Sequence, residues 1–326
     1  MTDRVGHPAV SPAVLDASGD AAVGNAPLMP SSASVRRSAV HPWERLIESA
    51  VFIAGLASIA IVALIFGFLL KEGCWIFRSV SPAAFLGGAR WYPISDPPRF
   101  GILPMILGSL WVTVGAVVIA LPLGLATAIY IAEVASPRLK ESLKVGVELL
   151  AAIPSIVLGF IGIVTLAPLV KHLFQLPTGL TAMSGSIMLA FMAMPTIVSI
   201  IEDALTAVPR SYREGSLALG ATKWQTIRRI LLPAASSGIA AGVMLGIGRV
   251  LGETMAVMMV TGNAAVIPHT LLQPVRTMTA TIAAEMGEVV RGGDHYYALF
   301  GIGLVLFLIS FGVNLAAGIF LQRRRV

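Results

Sequence analysis

Six long apolar runs separated by polar segments set the pattern of this chain. They cover approximately Leu46 to Leu70, Leu103 to Ile131, Val145 to Val170, Met183 to Ile201, Ala234 to Val260, and Tyr297 to Phe320. A helix needs about 20 apolar residues to cross a hydrocarbon core, and these runs supply that length with few charges. The predicted fold is therefore all-α, a polytopic membrane bundle of six transmembrane helices. Pro122, Pro154 and Pro195 fall inside the second, third and fourth runs, where membrane helices tolerate proline as a kink. Gly108, Gly115, Gly159, Gly162, Gly242, Gly246 and Gly248 are small enough to admit close helix contact.

The first 40 residues follow no such pattern. Rich in Ala, Ser, Pro, Gly and Val, with Arg36 and Arg37 near their end, they have the composition of a disordered tail. The first apolar run starts only near Leu46, so it reads as an uncleaved span and not as a signal peptide. The expected organisation is a cytoplasmic tail over 1–42 and a transmembrane domain over 43–326. Between the first two runs, Arg78, Arg90, Trp91, Tyr92, Pro93, Asp96, Pro97, Pro98 and Arg99 suit a water-exposed connection.

Composition excludes most other classes. Hydrophobic residues make up 56% of 326, charged residues 12%, and the mean hydropathy is +0.85, beyond an ordinary soluble domain. The net charge of +6 is a matter of topology, not a nucleic-acid footprint. Alternate polar segments carry fifteen and seven Lys and Arg residues, which puts both termini on the cytoplasmic side by the positive-inside rule. The lone Cys74 forms no intrachain disulfide, the five histidines are scattered, and no His-Glu-x-x-His or Cys-x-x-Cys run exists, so an enzyme is a poor reading.

One cytoplasmic segment stands out. Glu214 to Pro233 reads EGSLALGATKWQTIRRILLP, a basic interruption that looks like a docking surface. Ser211 and Glu214 have the spacing of a capping box. Gly220 then gives a bend. Beyond it Trp224, Ile227, Ile230 and Leu231 alternate with Lys223, Arg228 and Arg229 at helical spacing, as in an amphipathic helix at the membrane surface, and Pro233 suits a first helical turn.

This segment resembles the coupling signature of ATP-binding-cassette importer permeases. Glu214, Gly220, Ile230, Leu232 and Pro233 fall at the matching positions, and Gly215 and Ser216 replace two alanines. The resemblance implies a type I importer permease whose coupling segment, 211–233, sits in a cleft of a separate ATPase subunit. None of the five lysines precedes Ser or Thr, so the chain lacks a phosphate-binding loop of its own. ATP and Mg are expected on the partner, with no cofactor bound here.

A second cluster, GIGRVLGETMAVMMVTGN, places Arg249 and Glu253 inside the fifth run. Each such group costs about 2.5–3.5 kcal/mol on insertion scales, so both require partners or a water-filled path. Their i,i+4 spacing predicts a mutual pair, either structural or presenting Arg249 to an oxyanion with Glu253 as counterweight. From Glu214 to Asn263, and again over QPVRTMTATIAAEMGE, the chain looks like the larger-loop, PstC-type permease of phosphate-specific importers. That likeness implies passage of inorganic phosphate, a lipid-embedded location in the bacterial inner membrane, a second related permease, an ATPase dimer and a periplasmic phosphate-binding protein. It makes Arg249 and Glu253 the charged pair important for transport. Arg276 is placed at the outer mouth of the pathway or as an interfacial anchor, and Glu285, Glu288, Arg291 and Asp294 as a docking rim. A permease for sulfate, molybdate or another oxyanion, and an ion-coupled secondary transporter, are the alternatives.

Overall fold

The computed structural model describes residues 42–323. The expected tail before Pro42, and Arg324 and Arg325 of the charge count, lie outside the described residues. The first helix, α1 (Pro42–Gly73), is apolar around its circumference. Every side chain from Leu46 to Ile65 is exposed, which is the ordinary state of a helix whose solvent is lipid. The chain divides into two units between Ser58 and Ile59. In the second unit Phe66 packs against Phe307 with tilted rings 5.1 Å apart, and Phe68 meets Phe300 edge-on at 5.3 Å.

The connection after α1 is not the open loop that its turn formers predict. A 3-10 turn (Cys74–Arg78) leads to α2 (Pro82–Gly87) and an antiparallel hairpin of β1 (Trp91–Tyr92) and β2 (Arg99–Phe100), with Trp91 opposite Phe100. Trp91 and Phe100 point inward and join Ile76, Phe85, Leu299 and Ile302 in a packed cluster. Two residues per strand are too few for alternation to be visible in sequence, and this hairpin is the small exception to the helical class.

The second span, α3 (Leu103–Ile129), runs unbroken through Pro122 and ends in a π turn (Tyr130–Val134). Then comes a correction. The expected third span, Val145 to Val170, is two separate helices. α4 (Pro137–Ala152) has no fully buried residue, while α5 (Ser155–Ile161), a π turn (Gly162–Leu166) and α6 (Ala167–Phe174) make the apolar crossing. The residue before a proline is driven out of the helical region, and Ile153 is extended at φ −67°, ψ 125°.

The fourth span, α7 (Ala182–Thr206), is the centre of the bundle: 67% of its apolar stretch is buried, against 28% for that of α3. Thr181 caps it by accepting a bond from Ser184 N, and Pro195 does not break it. Next come α8 (Arg210–Ala218), α9 (Lys223–Thr226), a π turn (Ile227–Leu231) and α10 (Leu232–Ala234). The fifth apolar run is also broken. α11 (Ser236–Gly252) is bent by 72° from the helix before it and separated from α12 (Met255–Val260) by extended backbone at Glu253. α13 (Met278–Glu285) and α14 (Asp294–Arg323) complete the chain. Among the described residues, five helices are long and apolar enough to span a membrane, or up to six if the bent pair is one span.

The fourfold spacing of Gly238, Gly242 and Gly246 lays one ridge of α11 onto α7. A Cβ at these positions would meet Ala204, Ile201 and Ile197 respectively. Gly248, grouped with the contact glycines by sequence, instead faces open space.

Candidate coupling surface and substrate pathway

The segment 211–233 folds as two short helices around a tight bend. The capping box expected at Ser211 and Glu214 does not form, because Pro209 stands at the N-cap and Ser211 is already inside the first turn of α8. The same pattern one helix later does form a box. Gln225 N donates to Thr222 Oγ1 at 3.3 Å, and Thr222 N donates to Gln225 Oε1 at 2.8 Å. Gly220 makes the bend at φ +82°, a left-handed conformation that costs other residues about 1–2 kcal/mol. Gly220 N bonds Leu217 O and Ala221 N bonds Ser216 O, the paired closure of a Schellman motif. Ser216 Oγ also lies 3.0 Å from Thr226 Oγ1, tying the helices together.

The amphipathic face differs from its helical-wheel expectation. Ile227 and Leu231 are buried, but Trp224 is 62% exposed, and the backbone over Ile227–Leu231 is a π turn and not a regular α-helix. Tyr212, Leu217, Leu219 and Trp224 are all exposed at this end. Tyr212, Gly215, Ser216, Leu219, Gln225 and Arg229 line a groove of 540 Å³. Glu214 is exposed, Ile230 and Leu232 are half-buried, and Pro233 is the second residue of α10, ahead of the bend and not in the span itself.

Two ionic clusters were not singled out in the sequence. Arg213 Nη2 is 2.6 Å from Glu133 Oε1, at the end of α3. Lys140 and Lys144 of α4 each lie 2.7 Å from a different oxygen of Glu202, a carboxylate 1% exposed near the end of α7. The bond to Glu202 holds the Lys144 ammonium above its ordinary range, against the opposing effect of burial. The available signal was a pair of acidic residues, Glu202 and Asp203, closing an otherwise apolar run, with lysines at i,i+4 on a neighbouring segment.

Arg249 and Glu253 do not form the expected pair. The helix ends at Gly252 and Glu253 is extended at φ −70°, ψ 132°, so i,i+4 geometry is lost. Glu253 Oε1 instead accepts a bond from Ala256 N at 3.3 Å, its backbone carbonyl accepts one from Thr279 Oγ1, and the carboxylate thereby fixes the break. Arg249 is exposed and donates from Nε to Met192 O at 3.1 Å, its only side-chain hydrogen bond among the described residues. Met192 lies one turn before Pro195, where proline loosens the helical ladder and leaves carbonyls accessible to side donors.

Arg276 is held apart from this pair. It donates from Nε to Asn263 O and from Nη1 to Glu285 Oε1 at 2.7 Å. Glu285 also accepts from Trp91 Nε1 and lies 2.8 Å from His295 Nε2. Of the expected rim, Glu285 is thus a junction of bonded groups, and it lines a cavity of 1030 Å³ together with Glu288, Asp294, Arg276, Tyr92 and Ile94.

Residues 120–326 match the family described as binding-protein-dependent transport system inner membrane component. The chain belongs to this family. The matched stretch includes the segment 211–233, Arg249 and Arg276 of this inner-membrane permease. A probable ABC transporter permease protein, YqgH, from Bacillus subtilis is 40% identical over 86% of this chain and 90% of its own. The phosphate transport system permease protein PstC of Mesorhizobium japonicum is 35% identical over 89% of this chain and 93% of its own. PstC of Haemophilus influenzae is 32% identical over 81% and 88%. Among solved structures, a bacterial alginate ABC transporter bound to its periplasmic protein aligns with TM-score 0.59 over 86% of this chain and 97% of its own, at 16% identity. The MetNI methionine ABC transporter aligns at 0.55 over 71% and 99%, at 18% identity. These two show a shared importer-permease fold.

Proposed function

We propose that this permease is the PstC-type subunit of an ATP-driven phosphate importer. It works with a PstA-type second permease, a PstB-type ATPase dimer and a PstS-type periplasmic phosphate-binding protein, and both its termini are cytoplasmic. The observation that carries this reading is the near-full-length likeness to proteins named phosphate transport permeases. The chain binds no cofactor, and ATP and Mg are held by the ATPase.

The groove between α8 and α9 receives the ATPase. Leu219 of its lining and the exposed Trp224 of α9 supply apolar contact area at low ordering cost, and the fixed bend at Gly220 sets their angle. Nucleotide-driven closure of the ATPase moves this segment, and the bundle opens toward the loaded binding protein. Phosphate then meets Arg249, whose Nε is occupied by Met192 O while its terminal nitrogens remain available as a fork of donors for an oxyanion. Glu253 acts by holding the helix break beside that arginine. Arg276, braced by Glu285, keeps positive charge at the outer mouth and draws the anion inward. No covalent chemistry occurs on this chain.

The test is reconstitution with the three partners, followed by ATP-dependent uptake of labelled phosphate with sulfate and molybdate as competitors. Uptake blocked only by excess phosphate supports the assignment. Selective uptake of another anion would keep the architecture and replace the substrate, whereas uptake without ATP dependence would reject the coupling role of 211–233.

A further inference from the structure

We infer that Arg213 is a positioning residue for transport, the side chain through which movement of α8 reaches the second and fourth spans. The inference rests on the importer reading and deepens it.

Helix α8 has no fully buried residue, so little apolar packing holds it to the bundle. Among the described residues, Arg213–Glu133 is its sole ion pair. Arg213 points four N–H groups inward. Nε donates to Glu133 Oε1 at 3.1 Å, Nη2 to Glu133 Oε1 at 2.6 Å and to Leu205 O at 2.8 Å, and Nη1 to Val208 O at 2.8 Å. Glu133 lies in the π turn that ends α3 and is 9% exposed. Leu205 lies in the last turn of α7 and Val208 two residues beyond its end, where the helix dipole favours a cation. One planar, rigid group thus joins three elements.

That geometry decides how motion passes. Apolar faces slide over one another with small loss, but charge-assisted bonds in a fixed fork lose strength steeply with displacement. Pushing α8 therefore carries the π turn of α3 and the end of α7 with it. α7 touches Arg213 at this end and Arg249 through Met192 O further along, so a continuous line of bonded groups joins the ATPase groove to the pathway arginine. The Lys140, Lys144 and Glu202 contacts hold α4 on the same span and leave α8 untouched.

Lysine keeps the charge and loses the fork, which makes Arg213→Lys the discriminating variant. In the reconstituted importer, phosphate transported per ATP hydrolysed is expected to fall about ten-fold for Arg213→Lys and equally for Arg213→Gln. Glu133→Gln, which alters the bond from the α3 side and leaves α8 unchanged, is expected to lower the same ratio. A native ratio in Arg213→Lys or in Glu133→Gln would overturn the assignment. So would rescue by Lys of what Gln loses, since charge alone would then suffice, or failure of both Arg213 variants to co-purify with the ATPase, since the residue would then be an anchor. Absence of ATP-driven phosphate uptake in the native complex would instead overturn the importer reading, before any variant is compared.

Discussion

At the scale of single residues, exposure separates groups that the sequence treats alike. Arg249 and Arg276 are both cations near apolar segments, yet Arg276 is braced by a carboxylate and Arg249 has only a backbone carbonyl on one nitrogen. Losing charge-assisted bonds to a substrate oxyanion costs about 1.5–3 kcal/mol. Arg249→Gln is therefore expected to reduce phosphate uptake by roughly ten- to a hundred-fold while membrane insertion and ATPase co-purification persist. Unchanged uptake would remove Arg249 from the pathway. Gly215 gives the opposite kind of test. A Cβ there meets nothing within 4 Å, and alanine is the better helix former, so Gly215→Ala should stabilise α8 by about 0.5–1 kcal/mol. Slower amide hydrogen exchange across Arg210–Ala218 would register it, and faster exchange would mean that Gly215 serves a contact which alanine obstructs.

At the scale of elements, legibility depended on whether a signal was local. The bend at Gly220 was readable because it needs only a glycine between two helical patterns, and its φ of +82° bears that reading out. Replacing Gly220 with Val places a β-branched side chain in a left-handed conformation and removes the Schellman closure. The expected result is weaker ATPase association and lower transport, measured by co-purification and uptake. Normal values for both would show that the bend is not needed. Prolines were less legible. Pro122 and Pro195 sit inside continuous helices and Pro154 ends one, because neighbouring packing decides whether the chain accommodates the ring. The polar face of α4, with Arg138, Lys140 and Lys144, was the local hint that the third apolar run started too early. The Arg249–Glu253 pair failed for a related reason: i,i+4 spacing implies contact only while the helix continues, and Gly252 to Thr254 is where it stops.

At the scale of the whole molecule, α7 organises the bundle, and the charges at its C-terminal end are arranged by partners far away in sequence. Hydropathy could locate α7 but not tell that Glu202 would be buried between Lys140 and Lys144. Burying that carboxylate costs desolvation free energy which the two ammonium groups must offset. Removing one member should thus be worse than removing all three. Glu202→Gln leaves two lysines facing a neutral amide and is expected to destabilise the protein by about 1–3 kcal/mol, a range discounted because the lysine side chains are 29% and 42% exposed. Glu202→Leu combined with Lys140→Met and Lys144→Met deletes the charges together and should cost less. Thermal unfolding in detergent, compared across both variants, reads the difference. The raised Lys144 pKa sets the sign with pH: its contribution is complete below about 10.5 and is lost as pH climbs through the higher folded value. Equal losses in the single and triple variants would mean that shape, and not charge pairing, holds α4 against α7, and the ionic account of this end of the bundle would fail.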